Sequence, residues 1–76
     1  MDTDSAMIEF AIKWRHWDGG PDEDIFVEFG IPAYQFFFRL RRLLATHRQH
    51  QLTPHLVTQL TDICDSRLHV PQARAG

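Results

Sequence analysis

From Phe29 to Leu52 the chain carries no acid, and within that stretch stand Tyr34, Gln35, Phe38, Arg39, Arg41, Arg42 and Arg48. These residue types share one chemistry. Arginine neutralises phosphate without regard to base sequence, and its planar fork also bonds guanine edges in the major groove. Glutamine matches adenine, and an aromatic side chain can touch a thymine methyl. At about 100° per residue, Tyr34, Gln35, Phe38, Arg41 and Arg42 fall on one side of a helix, with Arg39 near the boundary. The opposite side takes Ala33, Phe36, Leu40, Leu43 and Leu44, with Phe37 at its edge. A charged outer face is the default for any surface helix. A large aromatic among the arginines is not, and nothing about folding requires Phe38 there.

Other clusters are weaker. His47, His50, His55, His69 and Cys64 supply metal-ligating atoms, and His47-x-x-His50 has a paired zinc-type spacing. Cys64, however, falls on the apolar stripe of its helix, so neither a metal nor a cofactor is expected. The acids Asp22, Glu23 and Asp24 open a helix, where carboxylates meet free N–H groups and the positive end of the dipole, so they need no ligand. There is no Gly-rich phosphate loop and no nucleophile–base pair that spacing alone brings together. A binding module is expected, not an enzyme.

Four helices are needed to position these residues. The first is predicted from about Asp4 or Ser5 to Trp17, with Met7, Ile8, Phe10, Ala11, Ile12, Trp14 and Trp17 in one wide stripe. Trp14 and Trp17 are read as core residues in preference to a stacking platform. Asp18-Gly19-Gly20-Pro21 ends that helix, with Pro21 at the first position of the next. The second helix is about two turns long, shows Ile25, Phe26 and Phe29 on its apolar face, and stops at Gly30. Ile31 turns back into the core, and Pro32 opens a third helix over about Ala33 to Thr46. Thr46 to Leu52 reads as a polar loop. Thr53-Pro54 is a cap followed by proline, and starts a fourth helix with Leu56, Leu60, Ile63 and Cys64 inside, joined by Val57 and Leu68 at its margins. Val70-Pro71 stops it.

Seventy-six residues make one domain, residues 1–76, with 71–76 a frayed tail. One cysteine excludes an internal disulfide and suits a reducing compartment. No apolar run approaches the roughly 20 residues of a membrane span, and the N-terminus lacks an export pattern, so a soluble cytoplasmic protein with no membrane partner is expected. Net charge is −2 but unevenly placed: residues 1–28 carry −6, from eight acids against Lys13 and Arg15, and residues 29–76 carry +4. Local field, more than net charge, steers an anionic partner.

The stretch from Phe29 through Gly30-Ile31-Pro32, Phe36 and Leu40 to Arg41-Arg42 resembles the helix-turn-helix of the last domain of bacterial sigma factors. That family shows a Gly-apolar-Ser-Pro turn, an apolar anchor and a Leu-Arg-Arg ending. Phe36 matches the anchor and Leu40 the later buried leucine, while Phe26 stands at or beside a position where the family has a small residue. A longer stretch, about Met7 to Leu68, is similar to a family of small uncharacterised actinobacterial proteins. It does so through Ile8-Glu9-Phe10, Trp14, Gly19, Phe29 to Phe37, and Pro54-His55-Leu56-Val57, with Pro32 in place of a serine cap. The resemblances imply a helix-turn-helix and a role connected with transcription, and they assign no site.

The sequence therefore points to an all-α, four-helix domain containing a helix-turn-helix that binds double-stranded DNA as a transcriptional regulator. Tyr34, Gln35, Phe38 and Arg42 would read the major groove, and Arg39, Arg41 and Arg48 would meet phosphate. The alternative is a protein-interaction module, in which Tyr34 and Phe38 anchor a second copy or another protein.

Overall fold

The computed structural model describes residues 3–46 and 52–68. Among them are four α-helices and no strand: α1 Thr3–Lys13, α2 Asp22–Phe29, α3 Ala33–Thr46 and α4 Pro54–Leu68. The stretch 47–51, the Val70-Pro71 stop and the tail 71–76 lie outside the described residues. None of the described helices is long and apolar enough to cross a membrane.

The first helix is shorter than its stripe suggested. After Lys13 the backbone tightens into a 3-10 turn, Arg15–Trp17. The Trp14 carbonyl accepts the N–H of Trp17 at 2.9 Å and that of Gly19 at 3.0 Å. Asp18 then adopts a left-handed conformation, φ 60°. Trp17 is swung outward and is 65% exposed, against the expectation of a core residue, and Trp14 is only half-buried.

At Gly19 the left-handed backbone coincides with crowding. φ is +87°, and a β-carbon would lie 2.7 Å from Phe37 Cε1 and 2.8 Å from Ile63 Cγ2. Only glycine meets both conditions. Pro21 precedes α2 instead of occupying its first position; it is extended (φ −70°, ψ 147°) and its carbonyl accepts the Ile25 N–H at 3.1 Å.

The acidic first turn of α2 follows, and Gly30 closes the helix in the left-handed region, φ 72°, its N–H reaching the Phe26 carbonyl at 2.7 Å. A turn of three residues, Gly30-Ile31-Pro32, leads into α3. The Pro32 carbonyl accepts the N–H groups of Gln35 and Phe36, both at 3.1 Å. At α4 the expected cap is present: Thr53 Oγ1 accepts the Leu56 N–H at 3.1 Å.

Helix α3 is the centre of the packing. Its Phe36, Phe37, Leu40, Leu43 and Leu44 meet Met7, Ile8 and Ala11 of α1, Ile25 of α2, and Leu60 and Cys64 of α4. Phe10, Phe29 and Phe36 form an aromatic knot with centroids 5.1 to 5.6 Å apart. Burying a side chain of this size stabilises by about 1.5–3 kcal/mol, so the knot outweighs any single surface contact.

Two side chains depart from their predicted places. Phe37, expected at the edge of the stripe, is fully buried, because the Gly19 loop and Arg67 cover it. Phe26, expected inside, is exposed. Two turns of helix present one narrow face, and Ile25 and Phe29 already fill it.

Candidate nucleic-acid interface

One face of α3 packs inward and the other is open. Along the open face Tyr34 is 66% and Phe38 57% exposed, and Gln35, Arg39, Arg41 and Arg42 are exposed with them. Five buried positions at spacings of three and four fix the helix's rotation, so this outer register follows from the core. Tyr34, Phe38 and Arg41 or Arg42 then succeed one another along a single stripe.

The arginines are not equivalent. Arg39 pairs with Asp4 of α1 at 3.3 Å, and Arg41 Nε donates to Asp65 Oδ1 of α4 at 2.6 Å. Arg42 makes no ion pair with any described residue. Its side chain joins Gln35, Phe38, Arg39 and Asp4 around a shallow depression of about 470 Å³ floored by Ile31 and Leu43. Arg42 is therefore the α3 cation that no described carboxylate neutralises. The exposed pairs are weak, about 0–1 kcal/mol each, and a phosphate could displace either carboxylate. Arg48 lies outside the described residues.

Of the metal-ligating residues, His47, His50 and His69 lie outside the described residues, and His55 is exposed on the first turn of α4. Cys64 is fully buried on the α4 stripe, as its spacing predicted. Burial pushes its thiol up to about 12; the nearby Asp65 carboxylate acts in the same direction, and Arg41 partly opposes them. Such a thiol stays protonated and is a poor metal ligand or nucleophile. Among the described residues no three His, Cys, Asp or Glu side chains form a group that could hold a metal ion.

Two features escaped the sequence. Arg67, which no pattern singled out, donates to the carbonyl oxygens of Asp18 at 2.6 Å and Gly20 at 2.7 Å and to Asp22 Oδ1. It fastens the loop after the 3-10 turn to α4. The second is a groove between α1 and α2 of about 790 Å³, lined by Phe10, Trp14 and Val27 together with Glu9, Glu23, Asp24 and Glu28. Glu9 and Glu28 belong to different helices, so only packing brings them together.

Comparison with curated proteins and with solved structures finds no match for this chain. A family model does match, over residues 1–71, which is nearly the whole chain. The chain belongs to the family described as Protein of unknown function (DUF3263).

Proposed function

We propose that this chain is a DNA-binding helix-turn-helix module, a transcriptional regulator that lays α3 in the major groove of double-stranded DNA. The observation that carries this is the open face of α3, where Tyr34, Gln35, Phe38 and Arg42 stand clear of the other helices. Two helices joined by a three-residue turn on a glycine match the grammar of that motif. In such proteins the early residues of the second helix meet base edges. Tyr34, Gln35 and Phe38 occupy that part of α3, and Arg42 lies one turn further on.

Arg39 and Arg41 serve phosphate, and each must exchange an aspartate for it. Arg48 is assigned the same role from the sequence alone. The likeness of Phe29 to Arg42 to the sigma-factor motif supports the assignment. The chain acts by binding and not by catalysis, and a cytoplasmic location goes with that role.

Anisotropy titration of a labelled random duplex with the protein, over a series of salt concentrations, tests the proposal. Affinity should fall with salt, by about 0.9 in log K per log salt for each phosphate neutralised, and Arg41→Ala, which removes a phosphate contact, should lower that slope by about one. A slope near zero would remove DNA as the ligand.

The exposure of Tyr34 and Phe38 specifically favours the second reading, a protein partner at the same face. Large aromatics are enriched among interface anchors.

A further inference from the structure

We propose that the acidic groove between α1 and α2 takes the outer face of α3 from a second copy of this chain. The groove is lined by the apolar side chains of Phe10, Trp14 and Val27, and Val27 is 79% exposed. Around it Glu9, Glu23, Asp24 and Glu28 stand against the single cation Lys13. None of those four acids pairs with a described residue, whereas Asp4, Asp22 and Asp65 all do.

A groove of this kind fits an amphipathic helix that carries spaced apolar anchors among cations. The chain itself displays one. Tyr34 and Phe38, one turn apart, are exposed on α3 beside Arg39, Arg41 and Arg42, and α3 contains no acid. Aromatic anchors meet the apolar lining, and arginines meet unpaired carboxylates.

The two patches share no residue. The contact is therefore heterologous, each copy offering its α3 to the next copy's groove, and successive copies add in one direction. Assembly is concentration-dependent and weakened by salt. It does not rest on DNA binding. It uses the same helix, so duplex and a neighbouring copy compete for Arg42.

Sedimentation velocity without nucleic acid tests this, with full-length wild type, Glu28→Lys and Arg42→Glu. Lysine at position 28 suits the C-terminal end of α2, so that variant should fold, and circular dichroism of both variants checks this. Wild type should sediment faster as concentration rises from micromolar to millimolar at low salt, and revert at high salt. Each variant alone should stay monomeric. An equimolar mixture should associate again, because the intact α3 of one variant meets the intact groove of the other.

Monomeric wild type throughout would overturn the proposal and leave the groove to a foreign basic helix. Variants that associate like wild type, or a mixture that stays monomeric, would overturn it as well. Because no DNA is present, any of these results leaves the salt-dependent titration untouched.

Discussion

The guanidinium carbon of Arg67 lies 4.6 Å from the centroid of the Phe37 ring. One face of the side chain covers the core while its N–H groups reach the carbonyl oxygens of Asp18 and Gly20. A single residue of α4 thus closes the core and ties down the loop that follows α1. Arginine suits this double task because its planar fork stacks and donates at once.

Arg67→Ala should destabilise the domain by about 2–3 kcal/mol, since two carbonyl acceptors lose a charged donor and Phe37 loses its cover. Arg67→Lys should recover only part of this, because an ammonium cannot stack and fork together. Asp22→Asn should cost less than about 1 kcal/mol, as the Asp22 side chain is 77% exposed. Urea unfolding of the three variants gives the order; equal losses for Arg67→Ala and Asp22→Asn would assign the clamp to the ion pair.

Gly19→Ala should cost about 2–4 kcal/mol, combining overpacking against Phe37 and Ile63 with a left-handed alanine. Gly30→Ala carries only the second penalty, about 1–2 kcal/mol, because nothing lies within 4 Å of its added methyl. Thermal unfolding of the pair compares them directly, and a smaller loss at position 19 would contradict the packing described.

Cys64 ties stability to alkaline pH. Its folded thiol is pushed up to about 12 by burial, above its value in the unfolded chain. A group raised on folding contributes fully below its unfolded pKa and loses that contribution as pH rises toward the folded one. Wild type should therefore lose more stability than Cys64→Ala between about pH 9 and pH 12. Below about pH 8 the difference between the two should not vary with pH. At neutral pH the thiol should react with alkylating reagents only as fast as the chain unfolds. Prompt labelling of native protein would place Cys64 at the surface.

If DNA is the ligand, Asp4→Asn and Asp65→Asn should each tighten duplex binding several-fold at low salt. Each frees an arginine of α3 from its pairing carboxylate and removes a negative charge near phosphate. The same titration reads the effect, and weaker binding by both variants would mean that these pairs hold α3 in its binding pose.

Much of this fold was legible in local signals. Gly30, Pro32 and the Thr53-Pro54 cap mark their boundaries by backbone chemistry that does not depend on the rest of the chain. The rotation of α3 could be read because five large apolar residues repeat at helical spacing. The end of α1 could not, since Trp14 and Trp17 continue the spacing while the backbone changes to a tighter turn. The loop that follows this turn packs Gly19 against Phe37, a contact between residues eighteen positions apart. The open face of α3 was likewise predictable, and the pairing of its arginines was not. Asp4 lies 35 positions from Arg39 and Asp65 lies 24 from Arg41, so only tertiary packing joins them.

The wedge at Gly19 also bears on how the molecule comes apart. That residue touches α3 through Phe37 and α4 through Ile63, while the loop it belongs to hangs from the end of α1. Releasing the loop uncovers the middle of the molecule, so the first helix has no separate route to detachment. Backbone amides deep in α1 and α4 should therefore exchange hydrogen with solvent through one shared opening, and the molecule should come apart in a single cooperative step.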